Sequence, residues 1–316
     1  MKKMYSTNMG EAYCGDSLEL LRSFEEESIN LIITSPPFAL LRKKDYGNKD
    51  ENEYVSWLSE FGKIAYSKLK KDGSLVIDLG GAYLKGQPVR SLYNYRVLLE
   101  FCDNLGYNLA QEFFWYNPSK LPSPIAWVNK GKIRVKDSVN TVWWFSKSER
   151  PKSDIRKVLV PYSDRMKKLL ENSDKYYTPK ERPSGHHISN NFSNNNGGAI
   201  PSNLLKIANT ESNSKYLKYF KKIGDELGIK SHPARFPKKL PEFFIKLLTE
   251  ENDLVVDIFS GSNTTGEVAE ELGRKWISCD LVEEYVASSV FRFSENELHA
   301  KSNFLKIISG ELIEIK

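Results

Sequence analysis

Cysteine is scarce in this chain. There are three among 316 residues, Cys14, Cys102 and Cys279, odd in number and far apart. That excludes a disulfide framework or a CxxC metal site, and it points to a reduced, cytoplasmic protein. Histidine is almost as sparse, with four residues, two of them adjacent at His186 and His187. With no cysteine near them they do not form a recognisable metal-ligand pattern, and no metal is expected. No apolar run approaches the roughly 20 residues that a membrane helix needs. The N-terminal Met1-Lys-Lys-Met-Tyr-Ser-Thr-Asn-Met-Gly10 has two lysines but no apolar core and no small-residue cleavage site. No secretory leader is therefore expected. Internal repeats are absent, and low complexity is confined to the Asn-rich run Ile188–Gly198.

With 40% hydrophobic and 28% charged residues, the sequence belongs neither to disordered nor to membrane-embedded chains. Its length allows one large α/β domain carrying a smaller module, or two modest domains, with a sizeable core either way. The formal charge of +5 is unevenly spread. Residues 130–182 hold 15 Lys/Arg against 7 Asp/Glu, whereas residues 251–300 hold 11 acidic and 3 basic side chains. Such polarity would draw a polyanion to one side of the molecule, although lysine-rich stretches also occur as plain solvated surface.

Short apolar or β-branched runs bounded by turn residues predict buried strands at 12–15, 30–34, 74–79, 111–116, 141–146, 253–259 and 275–279. Helical periodicity lies between several of them, at 17–24, 53–69, 91–105, 237–249 and 265–272. The second of these carries Tyr54, Trp57, Leu58, Phe61, Ile64 and Ala65 on one face. Alternating strands and helices predict a doubly wound, mostly parallel α/β sheet of seven strands. Residues 150–231 break that rhythm with Lys, Asn, Ser and Pro and weak periodicity, too long a stretch for an ordinary loop. They are expected to form an inserted module between the parts 1–149 and 232–316 of one larger domain.

Two strand-ending turns carry chemistry. After the strand at 253–259 comes Phe259-Ser-Gly-Ser-Asn-Thr-Thr-Gly266 and then a helix, the layout of a loop that cradles a nucleotide. Asp280 closes the next strand, where an acidic side chain would meet ribose hydroxyls. The loop is not GxGxxG and lacks the Lys-Ser/Thr ending of a phosphate loop, so an adenosyl ligand without a pyrophosphate fits better. A tight packing turn would use the same small residues. After the strand at 30–34, Thr34-Ser-Pro-Pro-Phe38 leaves a rigid backbone with free carbonyls, flanked by a hydroxyl and an aromatic ring. Ser35 Oγ and the Pro36 carbonyl can accept the two hydrogens of a planar amine, with Phe38 stacked on its ring. Ser35-Pro-Pro-Phe38 also reads as an ordinary strand-terminating turn.

Together these residues resemble the β class of S-adenosylmethionine-dependent DNA amino-methyltransferases. Ser35-Pro-Pro-Phe38 looks like their catalytic motif, Asp257-Ile-Phe-Ser-Gly261 like their cofactor motif, and His232-Pro-Ala-Arg-Phe-Pro237 like the segment closing over the cofactor. The order of motifs implies a circularly permuted methyltransferase sheet, in which 253–279 supply the first two strands of the usual fold and 12–34 the third and fourth. Leu40–Asn48, Asn117–Pro124 and Tyr176–His186 resemble N4-cytosine methyltransferases of restriction–modification systems, and that likeness extends into the insert. The resemblance implies that Ser35, Pro36, Pro37 and Phe38 hold the target base. It assigns S-adenosylmethionine to Asp16, Phe236, Asp257, Phe259, Ser260, Gly261, Ser262, Asn263, Thr264 and Asp280. Asn263 departs from the second glycine of many relatives, and asparagine is the side chain best able to keep a left-handed turn there.

The insert 150–231 would then be the target-recognition module, with CAGCTG as the implied site in double-stranded DNA, protected from a restriction endonuclease. Arg42, Lys43, Lys44, Lys132, Arg134, Arg182 and His186 are the candidate DNA contacts, Arg42 to Lys44 equally well a solvated loop. A duplex hides the amine, so the cytosine must flip into the pocket. Direct attack of the amine needs no covalent intermediate, and no cysteine sits in the Ser35–Phe38 turn to support C5 chemistry. N6-adenine methylation on the same fold is the nearest alternative, ahead of a silent DNA-binding protein or an RNA or protein amide methylase. Without a coiled coil or apolar docking helix, a monomer is expected.

Overall fold

The computed structural model describes residues 1–38, 51–172, 194–211, 214–229 and 234–315. Among the described residues ten strands form one sheet: β1 (Lys2–Ser6), β2 (Gly10–Cys14), β3 (Ile29–Thr34), β4 (Leu69–Leu79), β5 (Asn108–Tyr116), β6 (Val139–Ser146), β7 (Leu204–Lys206), β8 (Leu254–Asp257), β9 (Lys275–Asp280) and β10 (Ile313–Glu314). Their spatial order is β10-β1-β2-β9-β8-β3-β4-β6-β5-β7. All pairs from β2 to β4 are parallel, and β6 runs antiparallel to both β4 and β5. The seven predicted strands are the seven central ones, in the permuted order expected. Among the described residues three short edge strands extend these seven, β1 and β10 on the side of β2 and β7 on the side of β5.

Central strands are buried on both faces and read as continuous apolar runs. All six residues of β3 are buried, as are Val255 and Val256 of β8. Helices cover the sheet: α1 (Ser17–Ser23), α2 (Glu51–Lys68), α3 (Tyr93–Leu99), α4 (Asp164–Glu171), α5 (Lys215–Leu227), α6 (Lys239–Leu248), α7 (Thr264–Glu271), α8 (Glu283–Ser289) and α9 (Glu297–Ile308). On α2 the buried residues Tyr54, Leu58, Phe61 and Ala65 recur at helical spacing and join Ile32, Leu75, Ile77 and Trp143 in one core. The predicted helix at 91–105 divides into α3 and a π turn, Glu100–Asn104.

Two compact units are resolved by their contacts. The larger comprises Met1–Ser153 and Asn203–Lys316, the smaller Asp154–Ser202. The smaller unit is narrower than the stretch 150–231. Residues beyond it are taken up by the large unit, because β7 pairs with β5 and α5 packs Phe220 on Phe291. Within the smaller unit, Asp154 caps a short 3-10 turn, Ser163 caps α4, and Val160 bridges Ala199. No helix among the described residues is long and apolar enough to cross a membrane.

Candidate active site

Strand order reverses between β8 and β3, and open α/β sheets place their ligand crevice at such a point, outside the carboxyl ends of the strands. A cavity of ≈ 490 Å³ opens there. It is lined by residues that follow β2 (Asp16, Ser17), β3 (Ser35 to Phe38), β8 (Phe259 to Ser262) and β9 (Leu281), together with Asp78 of β4 and Asp280 of β9. The antiparallel hairpin adds Asn117 from the end of β5, and Ser138 and Asn140 from around the start of β6.

One half of the cavity is organised by two acids. Asp257, at the end of β8, accepts hydrogen bonds from Thr34 Oγ1 (2.8 Å), Thr265 Oγ1 (2.6 Å) and the Phe259 amide (3.1 Å). Burial nevertheless pushes its carboxyl up to about 6. With its oxygens so occupied, Asp257 ties β3, β8 and α7 together more than it faces a ligand. Asp280 accepts from the Gly261 amide (2.8 Å) and the Val282 amide (3.0 Å), and burial raises its carboxyl too. Gly261 sits at φ 49°, where a side chain would be strained.

Asn263 also lies at positive φ, 55°, and caps α7 by accepting from the Gly266 amide at 3.0 Å. Its amide donates to Tyr5 OH at 3.1 Å. The side chain is 1% exposed and is not among the residues that line the cavity; what it does in the fold is cap the helix and hold the turn. Asp16, Phe236, Phe259, Ser260, Gly261, Ser262, Thr264, Asp257 and Asp280 do line it. Phe259 is held from behind by Trp57 and Phe61 of α2, at centroid distances of 5.6 and 5.0 Å.

This donor set suits S-adenosylmethionine. Carboxylates match a ribose diol, the Phe236 and Phe259 rings offer apolar faces to an adenine, and Phe259–Thr264 contains no cation to hold a pyrophosphate.

The other half is the turn after β3. Ser35 is half-buried, Pro36 is buried, and the Phe38 ring lies over Gly80, where an added Cβ would come within 2.4 Å of it. Gly80 is therefore required for the ring position. Ser35 Oγ donates to Asp78, at 3.1 Å from the carboxylate Oδ2 and 3.3 Å from the carbonyl. Asn140 Nδ2 donates to the same carboxylate at 3.1 Å, and its own Oδ1 accepts from Lys120 Nζ at 3.5 Å. Asp78 is 3% exposed, and burial pushes its carboxyl up to about 7 against the hydrogen bonds and the Lys120 charge. Burial lowers Lys120.

That shift has a measurable consequence. Between about pH 4 and 7 the unfolded chain has released the Asp78 proton and the folded chain has not, so stability falls as pH rises across this window. Asp78→Asn removes the titration. The difference in Tm between variant and parent should move in the variant's favour from about pH 4 to 7 and stay constant above. Parallel curves would show that Asp78 titrates as an exposed acid.

No cysteine lines the cavity. Burial pushes Cys279 up to about 12 and also raises Cys14 and Cys102. Among the described residues no group of three or more His, Cys, Asp or Glu could hold a metal. Lys132 and Arg134 are exposed and do not line the cavity; Arg134 donates to the Pro88 carbonyl at 2.9 Å. Arg42, Lys43, Lys44, Arg182 and His186 lie outside the described residues, as does His232. Asp78, Asn140, Lys120 and Gly80 were missed by sequence reasoning.

The family model for DNA methylases, N6_N4_Mtase, matches residues 29–291. The chain belongs to this DNA methylase family. Among the relatives of this DNA methylase is the type II methyltransferase M.PvuII of Proteus hauseri, 61% identical over 317 residues, covering 99% of this chain and 93% of the relative. M.HpaI of Haemophilus parainfluenzae is 27% identical over 277 residues, 86% of this chain and 70% of its own. Among solved structures, the PvuII DNA methyltransferase (cytosine-N4-specific) superposes with a TM-score of 0.80 and 54% identity, over 99% of this methylase and 97% of that chain.

Proposed function

We propose that this DNA methylase transfers the methyl group of S-adenosylmethionine to the exocyclic N4 of a cytosine flipped out of duplex DNA. The observation that carries the reading is the Ser35-Pro-Pro-Phe38 turn, set at the carboxyl edge of the sheet across one cavity from the Phe259–Thr264 loop. Close kinship with a cytosine-N4-specific enzyme supports cytosine over adenine.

Bound at Asp16, Phe236, Phe259–Ser262, Thr264 and Asp280, S-adenosylmethionine supplies an electrophilic methyl group. The protein supplies position and polarity. The N4 lone pair of cytosine is delocalised into its ring. Accepting hydrogen bonds from the amine to Ser35 Oγ and the Pro36 carbonyl draws the nitrogen towards tetrahedral geometry and localises that pair. Pro37 keeps the turn rigid, and Phe38 stacks on the base, a contact worth about 1–3 kcal/mol that offsets part of the flipping cost. The rest of the rate comes from holding nitrogen and methyl in line.

Target reading falls to the 150–231 stretch, with Asp154–Ser202 as its compact part, and CAGCTG as the site. Lys132, Arg134 and the basic residues outside the described segments grip phosphates, acting in the cytoplasm as a monomer beside a cognate endonuclease. Incubating duplexes with and without CAGCTG with labelled S-adenosylmethionine, then analysing nucleosides, should give N4-methylcytosine only from the CAGCTG duplex. N6-methyladenine as the sole product would overturn the cytosine assignment. Equal labelling of both duplexes would overturn the site. Phosphate contacts also predict binding that weakens steeply with salt.

A further inference from the structure

A positive charge lines the cavity without a counter-ion. Lys120, from the segment after β5, is half-buried in its wall. Asn117-Pro-Ser-Lys120 fixes the backbone there as a tight turn. The Lys120 amide donates to the Asn117 carbonyl at 3.2 Å, and Asn117 Oδ1 accepts from the Ser119 amide at 3.0 Å. Lys136 Nζ donates to the Lys120 carbonyl at 3.2 Å and ties the turn to the segment before β6. The side chain is less well served. Its ammonium carries three hydrogens, and Asn140 Oδ1, at 3.5 Å, takes one of them. Among the described residues no carboxylate forms an ion pair with it. Asp137, which acts on it through space, is itself paired with Arg90, and Asn140 stands between Lys120 and Asp78. Burial lowers Lys120 from the ordinary lysine range, as expected of a cation short of partners.

We infer that Lys120 reads the identity of the target base, by donating to O2 of the flipped cytosine. This rests on the cytosine-N4 reading above. Ser35, Asp78, Asn140 and Lys120 follow one another along the cavity wall, joined at 3.1, 3.1 and 3.5 Å. Cytosine presents its amine, then N3, then O2 along its pairing edge, and a flipped base is read on that edge. With the amine at Ser35 Oγ and the Pro36 carbonyl, the acceptor edge runs towards Asn140 and Lys120. Asn140 Nδ2 is taken up by the two carboxylate oxygens of Asp78, at 3.1 and 3.5 Å. Lys120 is therefore the next donor along the wall.

Such a contact separates two bases that the Ser35-Pro-Pro-Phe38 turn treats alike. The turn accepts hydrogens from any planar amine. Adenine would bring its amine and N1 to the same places, but a C2–H where cytosine has O2. The ammonium would then stay desolvated and unpaired, which is how a polar site rejects a base lacking the matching group. N4 gains positive charge during transfer, and O2 lies at the other end of the pairing edge. The gain from Lys120 is therefore in holding the base in the cavity, and the chemical step is left to the turn.

A cycle that changes the protein and the base together tests this. The full chain and Lys120→Met are compared by kcat/KM on two duplexes. One carries the cytosine that the parent methylates. The other carries at that position a 2-aminopyridine C-nucleoside, which keeps the amine and the N3 acceptor and has hydrogen in place of O2. Either change alone should lower kcat/KM about 30-fold, the worth of a hydrogen bond from a charged donor. Both together should cost no more than about threefold beyond either one, because the same contact is removed twice. S-adenosylmethionine affinity should be unchanged by equilibrium binding. Lys120→Gln keeps a donor without the charge. It should recover about tenfold on cytosine and nothing on the analogue, which keeps the test decisive if Lys120→Met fails to fold. Losses that multiply to about a thousandfold would mean that Lys120 grips a phosphate or only steadies Asn140, and would overturn the proposal. Weakened S-adenosylmethionine binding would overturn it too, by placing the ammonium on the cofactor. A parent found to methylate adenine would overturn the cytosine reading and this contact with it, whereas multiplying losses on a confirmed N4-methylcytosine product would remove the contact alone.

Discussion

Replacing Ser35 by alanine should slow methyl transfer about a thousandfold, roughly 4 kcal/mol of barrier, and leave S-adenosylmethionine affinity within about twofold. The separation follows from the sheet. Ser35 follows β3 and is bonded to Asp78 of β4, whereas the Phe259–Thr264 loop follows β8 and is fixed by Asp257 and Asp280. Removing the hydroxyl deletes an acceptor that matters most when the amine nitrogen becomes tetrahedral, so the loss falls on the chemical step. It also leaves the buried Asp78 with one donor fewer, raising its carboxyl further. Rapid-quench single turnovers give the first quantity and equilibrium binding the second. Equal losses in both would mean that Ser35 supports the cavity as a whole.

How much of this was legible in the sequence depends on distance along the chain. The central strands were readable because each is a contiguous apolar run ended by turn residues. The edge strands were not: β1 begins Lys2-Lys3, β7 has three residues and β10 two, and each exists only by pairing with a neighbour. Helix α5 had a visible signal, with Tyr216, Phe220 and Ile223 at helical spacing between a Ser214 cap and left-handed Gly228. It was hidden by the lysine-rich composition around it. The Ser35–Phe38 turn was legible because its four residues are consecutive. Asp78 and Asn140 are 62 residues apart, and only the antiparallel register of β4 with β6, Asp78 opposite Val142, brings them together. No local pattern announces such a pair.

The same limit applies beneath the Phe259–Thr264 loop, where Arg292→Ala should destabilise the protein by about 3 kcal/mol, the low end for breaking a buried ion pair. Arg292 closes the 3-10 turn after α8 and is 4% exposed. Its guanidinium donates to the Ser262 carbonyl, to Ser262 Oγ at 3.0 Å, to Thr264 Oγ1 at 2.8 Å and to the Glu267 carboxylate. It also lies 4.2 Å from the centroid of the Tyr216 ring. The planar fork meets all four acceptors at once, which a lysine ammonium cannot, so Arg292→Lys should recover little. Without Arg292, the Glu267 carboxylate stays buried with Lys238 Nζ, at 2.7 Å, as its remaining cation, which moderates the loss. Ser262 and Thr264 lose their donors, and the loop bearing Gly261 loses its anchor. S-adenosylmethionine should bind about tenfold more weakly, while the methylated product stays the same. Urea unfolding and equilibrium binding measure the two effects. Adding Glu267→Gln should restore about 1 kcal/mol, because the stranded charge is gone. A variant as stable as its parent, with unchanged binding, would show that the anchor is dispensable. A stable fold with weakened binding would instead place the role of Arg292 in the loop alone.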